Sequence, residues 1–240
     1  MSLSRRQMLL ASMGLFVAGC APTQTSVSRR PGTEWPGSVD RPRQQRSTRV
    51  DPRPRDTPTA PTPRQVPAHA DGLNAVARSR WASAGPVTSR VNPMNGVSRI
   101  TVHHEGWTSF WDNGEASTAE RIERIRNVHV RDRGWGDIGY HYIIDRSGRI
   151  WQGRAIGYQG AHVGGANENN LGIMLLGNFD QQSPTDVQLD RLVSSLRSLM
   201  RTHNVANHRV YTHQELSPSA CPGRNLQPRM VSLRRGGYLT

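Results

Sequence analysis

The chain has 240 residues, 31 basic and 18 acidic, with a formal net charge of +13, and every basic residue is arginine. Hydrophobic residues make up 35%, there are two cysteines, and no apolar run reaches the roughly 18 residues of a spanning helix. A polytopic membrane protein, a coiled coil and a disulfide-built scaffold are excluded.

The first twenty residues read as an address. Arg5 and Arg6 precede an apolar stretch from Met8 to Ala18, and Val17-Ala18-Gly19-Cys20 closes it with small residues before a cysteine. That is the layout of a secretory signal over residues 1–19. Its ending resembles a bacterial lipoprotein signal, in which Cys20 is acylated and tied to a lipid bilayer. Ser4-Arg5-Arg6-Gln7-Met8-Leu9 resembles a twin-arginine export signal. The chain is therefore expected outside the cytoplasm, on the outer membrane where the cell has two. A basic chain implies an anionic partner. Export, and the lack of any nucleic-acid-binding pattern, exclude nucleic acid and point to the cell wall.

Residues 20–72 read as a disordered tether. Ten of the sixteen prolines fall within residues 21–70, among Arg, Ser, Thr and Gln. Such a composition buries too little apolar surface to offset chain entropy. Fully extended, fifty residues reach roughly 150 Å.

A folded domain is expected over residues 73–235. Arg99–His104 reads as a buried strand. Ser117-Thr-Ala-Glu120 reads as a capping box opening a helix whose buried face carries Ile122, Ile125 and His129, with Gly134 beyond its end. Strands follow at 139–145 and 150–152 across the turn Arg146-Ser-Gly148. Residues 171–176 form a continuous apolar run, hence a central strand. Thr185-Asp-Val-Gln188 caps a long helix with Val187, Leu189, Leu192, Val193, Leu196 and Met200 inward. Val210–His213 is a last short strand. Alternating strands and helices predict an α/β domain with a mixed, mainly parallel sheet flanked by helices.

His213 and Cys221 lie eight residues apart in a stretch held as a loop by Pro218 and Pro222. A histidine from the first strand could complete a zinc set of two imidazoles and a thiolate with one open position. Adjacent strand residues face opposite ways, so only one of His103 and His104 can join it. Spacing alone leaves open which, and leaves open core histidines and an inert buried cysteine.

Five segments in order then bear on the choice. They are Ile100-Thr-Val-His-His104, Asp137-Ile-Gly-Tyr-His-Tyr-Ile-Ile-Asp145, Gly160-Ala-His162, Asn170-Leu-Gly-Ile173 with Gly177-Asn-Phe179, and His213 with Cys221-Pro222-Gly223. Together with Ser79-Arg-Trp81, the series resembles the N-acetylmuramoyl-L-alanine amidase family, which includes phage lysis amidases and peptidoglycan recognition proteins. The resemblance spans roughly residues 76–230. It implies one zinc ion on His103, His213 and Cys221, and Tyr140 as the catalytic tyrosine. Ser219 stands where phage enzymes keep a lysine and many recognition proteins a threonine. Cys221 and Met174 stand where the anhydro-muropeptide branch has Asp and Glu, so the chain sides with the phage and recognition-protein branch.

The resemblance further implies a peptidoglycan or muropeptide substrate and contact of His162 with substrate, and the chain is expected to be a monomer. Trp107, Trp111, Trp135 and Trp151 are candidates to line a glycan or peptide groove, Trp107 foremost, with packing the default role for a tryptophan. Glu105 is a candidate general base or a solvated rim charge, and His141 is expected to make a structural hydrogen bond. Two other readings use the same residues: a wall-binding module without catalysis, and a zinc peptidase cutting stem peptides.

Overall fold

The computed structural model describes residues 72–239. The signal, Cys20 and all but the last residue of the tether lie outside the described residues. Within them, six strands form one sheet: β1 (Ala75–Val76), β2 (Arg99–His104), β3 (Tyr142–Ile144), β4 (Ile150–Gln152), β5 (Asn170–Leu175) and β6 (Val210–Thr212), in the order β1-β4-β3-β5-β2-β6. Four of the five pairings are parallel, and only the β3–β4 hairpin is antiparallel. The expected mixed, mainly parallel α/β domain is the one observed.

Three helices flank the sheet: α1 (Glu115–Arg131), α2 (Asp186–His203) and α3 (Gln227–Arg235). Side-chain alternation along the strands divides the interior. Ile100 and Val102 of β2 face Leu192, Leu196 and Leu199 of α2 and Met230 of α3. Ile143 and Met174 turn the other way, onto Ile122 and Ile125 of α1, with Trp81, Ile138 and Trp151. β5 is buried on both faces, which is why residues 171–176 read as a continuous apolar run.

The Thr185 cap is as its sequence predicts. Gln188 N–H donates to Thr185 Oγ1 at 3.1 Å, and Thr185 N–H to Gln188 Oε1 at 3.1 Å. The Gln188 amide also donates to Leu176 O at 3.0 Å, fastening α2 to the end of β5. Val187 departs from the expected inward face: it is 53% exposed in the first turn and packs over the β3–β4 turn at Gly148.

The α1 start also departs. The helix begins at Glu115 behind Gly114, so Ser117 sits inside it and donates its hydroxyl to Gly114 O at 3.1 Å. Asp112 Oδ1 orients the entry by accepting from Gly114 N–H at 2.7 Å. The strand expected over 139–145 is regular only at Tyr142–Ile144. Before it, backbone bonds from Ala161 to Gly139 O and from Arg154 to Tyr140 O bend the chain away from the ladder. The last strand stops at Thr212, and His213 opens a 3-10 turn, His213–Glu215.

Asp145 closes the hairpin. Its Oδ1 accepts from Ser147 N–H and Arg149 N–H, both at 2.9 Å, and its Oδ2 from Trp151 Nε1 at 2.9 Å. Trp151 is wholly buried, so it is a core residue and not part of a groove.

Candidate metal centre

β2, β5 and β6 run parallel, so their carboxyl ends lie along one edge of the sheet. The loops leaving that edge carry the chemistry-bearing residues, the usual place for a site in an open α/β sheet. His103, His213 and Cys221 form a group whose ligand atoms lie within 4.8 Å of one another, the only such metal-competent group among the described residues. His103 Nδ1 and Cys221 Sγ are 3.6 Å apart, and the His103 and His213 rings are 4.9 Å apart, edge on.

The donor set suits a cation. Burial pushes His103 well below the usual imidazole range, with His162, His213 and His104 adding to the effect. Burial also lowers His213. Both rings are therefore neutral, with lone pairs to offer. Burial pushes the Cys221 thiol up to about 12, and the His104 N–H bond to its sulfur at 3.4 Å only partly opposes this. A thiolate there requires a cation beside it, and a coordinated thiol loses its proton outright.

His104 is out of reach of the set. It lies on the opposite face of β2, and its Nδ1 accepts from Phe179 N–H at 3.1 Å. Phe179 belongs to a turn that binds two site loops together. Asn178 Nδ2 donates to Trp107 O at 2.5 Å, and the Gln182 side chain pairs with both Phe110 N–H at 2.8 Å and Phe110 O at 3.0 Å. On its other side, Asn225 N–H donates to Phe179 O at 2.9 Å and Asn225 Nδ2 to Gln182 O at 3.1 Å. Asn178 and Gln182 thus link the loop after His104 to the loop that holds Cys221. The Gly177-Asn-Phe179 motif marked this turn in the sequence, but its clamping role depends on loops distant along the chain.

The loop bearing His213 is latched from α3. Glu215 accepts from Thr212 N–H at 2.8 Å and from Arg234 Nη1 at 2.7 Å, and the same Nη1 donates to Val210 O at 2.7 Å. Ser219 Oγ accepts from Cys221 N–H at 3.1 Å, bracing the cysteine two residues on.

Tyr140 faces the His103 ring at 5.1 Å between centroids. Burial first, and Cys221 second, raise its phenol above the ordinary range, so it stays protonated. The motif that presents it is anchored by Asp137, which is buried and accepts from Arg78 Nη2 at 2.8 Å and Arg126 Nε at 3.1 Å.

Glu105 is neither a solvated rim charge nor open to the site. It is 4% exposed, with Oε1 bound by Arg121 and Oε2 accepting from Gly177 N–H at 3.3 Å. Burial raises this carboxyl, and the Arg121 charge and hydrogen bond oppose the rise. The Arg121 guanidinium also covers Trp107 at 5.3 Å and Phe110 at 5.5 Å, so one ion pair holds the loop that carries both rings.

His162 is buried with both ring nitrogens engaged inside the protein, at 3.0 Å from His103 and 3.1 Å from Asn170 O. His141 donates from Nε2 to Tyr158 O at 3.0 Å and accepts at Nδ1 from Gly172 N–H at 2.9 Å. Trp135 packs against His129 with ring centroids 4.6 Å apart and the planes tilted, whereas Trp111 is 65% exposed over Arg146.

Comparison with known proteins agrees with this architecture. Residues 93–224 match the N-acetylmuramoyl-L-alanine amidase family. The chain is 27% identical over 156 residues to peptidoglycan-recognition protein SC2 of Drosophila melanogaster, covering 65% of this chain and 83% of that one. It superposes on peptidoglycan recognition protein LE, solved with tracheal cytotoxin (a monomeric diaminopimelic acid-type peptidoglycan), with TM-score 0.60 and 26% identity over 66% of this chain and 92% of that one. It also superposes on the N-acetylmuramoyl-L-alanine amidase LysC of Clostridium intestinale, with TM-score 0.55 and 25% identity over 68% and 97% of the two chains. The match covers more than half of the sequence, and the protein belongs to the N-acetylmuramoyl-L-alanine amidase family.

Proposed function

We propose that this protein hydrolyses the amide between the lactyl group of N-acetylmuramic acid and L-alanine in peptidoglycan, using one zinc ion held by His103, His213 and Cys221. The observation that carries this is the convergence of two neutral imidazoles and a thiol beside Tyr140. Two histidines and a thiolate with a fourth position open form a catalytic rather than a closed structural set. Bound there, zinc supplies Lewis-acid polarisation of a carbonyl and acidifies water to near neutral pH.

The chain's own residues do the rest. The Tyr140 phenol, protonated at neutral pH, donates to the scissile oxygen as negative charge gathers on it, a contribution of about 10²–10³-fold for such a donor. Ser219 Oγ, held by Cys221 N–H, keeps its own hydrogen to donate toward the substrate. Trp107, on the loop that follows His104, is assigned contact with the substrate. Glu105, buried against Arg121 and Gly177 N–H, holds that loop.

We further propose that the chain is exported and acts as a monomer tethered to a membrane through acylated Cys20. Arg5, Arg6, the Met8–Ala18 stretch and Val17-Ala18-Gly19-Cys20 support this. A second reading, a peptidoglycan-binding module without catalysis, is favoured by the recognition proteins among its relatives.

One experiment separates these readings. Purified, zinc-loaded protein is incubated with isolated sacculi and the soluble products are weighed by mass spectrometry. Free stem peptides beginning at L-alanine, with intact glycan strands, are expected. Binding without release would establish the recognition module instead, and cleavage within stem peptides would establish a peptidase.

A further inference from the structure

His162 stands beside the metal-competent cluster without belonging to it, and its hydrogen bonds bear on the chemical state of the next ring. Its Nε2 lies 3.1 Å from Asn170 O. A carbonyl oxygen only accepts, so Nε2 carries the hydrogen, and Nδ1 of the neutral ring holds a lone pair. That lone pair faces His103 Nε2 at 3.0 Å. His103 Nε2 must then donate. A neutral imidazole has a single N–H, so the free lone pair of His103 lies on Nδ1, the atom 3.6 Å from Cys221 Sγ.

The surroundings of His162 are built for this. Asn167 Oδ1 accepts from His162 N–H and Val163 N–H, each at 2.8 Å. Asn170, whose carbonyl starts the relay, is itself fixed: its Nδ2 donates to Ala166 O at 2.7 Å and its Oδ1 accepts from Thr101 Oγ1 at 2.8 Å. A Cβ at Gly160 would stand 2.4 Å from the His162 ring and one at Gly172 2.6 Å from it. Only glycine at both positions leaves space for the imidazole in this plane.

We propose that His162 is a positioning residue for the metal: through the relay from Asn170 it fixes the tautomer and ring plane of His103, so that Nδ1 is the ligand atom. Metal-bound histidines commonly donate their second N–H to a carbonyl or carboxylate. Here a second imidazole is interposed between the ligand and the carbonyl. The assignment rests on the zinc reading above and deepens it. It gives His162 a role inside the protein in place of the substrate contact that the family resemblance implies.

The test compares zinc affinity, by chelator competition, in the full-length protein and its His162→Phe and His162→Gln variants, with circular dichroism to verify folding. His162→Phe removes the acceptor and is expected to weaken zinc binding by about 10–100-fold. In His162→Gln the amide can accept from His103 and donate to Asn170 O, so affinity is expected to recover to within several-fold of the unaltered protein. A long-range proton–nitrogen spectrum of the zinc-loaded unaltered protein should show His103 bound through Nδ1 and protonated at Nε2. This arm decides the matter even if His162→Phe fails to fold. Undiminished affinity in a folded His162→Phe variant, or His103 bound through Nε2, overturns the proposal. An unaltered protein that binds no zinc overturns the zinc reading itself, and the assignment with it.

Discussion

Phe179 N–H donates to His104 Nδ1 at 3.1 Å, and that bond separates the roles of two adjacent histidines. His104 is spent on the turn that joins the site loops, while His103, on the other face of β2, keeps Nδ1 toward Cys221. His103→Ala is therefore expected to abolish tight zinc binding. His104→Ala is expected to keep zinc within several-fold and to lose about 1–3 kcal/mol of stability by leaving Phe179 N–H unsatisfied. Chelator competition and urea unfolding on both variants check this, and loss of zinc in His104→Ala with unchanged stability would reverse the assignment.

Tyr140→Phe removes one hydroxyl from the mechanism. The expected result is a kcat lower by about 10²–10³-fold with zinc affinity unchanged. Product release from sacculi and chelator competition measure the two quantities. Equal loss of both would make Tyr140 a structural residue.

Glu105→Gln tests a strut against a base. As a strut, Glu105 contributes through Arg121 and Gly177, so the variant should be less stable, with kcat within a few-fold and an unshifted pH–rate profile. Loss of a general base would cost about 10²–10⁴-fold in kcat with the acidic limb of the profile altered. Arg121→Met, which leaves the carboxylate buried without its partner, should cost more, about 3–5 kcal/mol.

Acid is expected to destabilise the fold through its buried imidazoles. Burial lowers His129 to about 3, with Arg133 and Arg154 adding to it, and lowers His141 to about 4 against the opposing bond to Tyr158 O. The unfolded chain takes up both protons near pH 6.5, and the folded chain does not until pH 4 to 3. Their contribution is thus complete above pH 6.5 and falls as pH drops from there toward 4. The slope is up to about 1.4 kcal/mol per pH unit for each ring. Urea midpoints at pH 7.5, 6, 5 and 4.5 measure it, and His129→Gln should flatten the slope by one proton. A midpoint that does not move with pH would contradict neutral buried rings.

The two tryptophans at the ends of the exposure range give a stability contrast. Trp151→Ala opens the core and removes one of the two donors to Asp145 Oδ2, at an expected cost of about 3–5 kcal/mol. Trp111→Ala should lie within about 0.5 kcal/mol. Thermal or urea unfolding of both variants checks it.

Much of this protein was legible in its sequence because the determining interactions are local or periodic. The Thr185 cap needs only residues 185–188, and the burial of β5 on both faces is recorded in the apolar run over 171–176. The motif order alone was enough to indicate the family and to name His103, His213 and Cys221 together. Where a local signal competed with packing, it misled. Ser117-Thr-Ala-Glu120 has the spacing of a capping box, yet Asp112 and Gly114 start the helix earlier, and Val187 keeps helical phase but lies in a first turn that overhangs the core.

The sequence by itself determined the α/β class, the main strands and which residue types could bind a metal, because side-chain period and turn chemistry are properties of the chain. Only the tertiary structure decided how each of those residues is employed. That Glu105 is closed off by Arg121, that Trp151 belongs to the core, and that His162 sits between Asn170 O and His103 all depend on partners 6 to 59 positions away. Hydrogen-bond direction and burial are set by what lies across the fold, and no spacing along the chain encodes them.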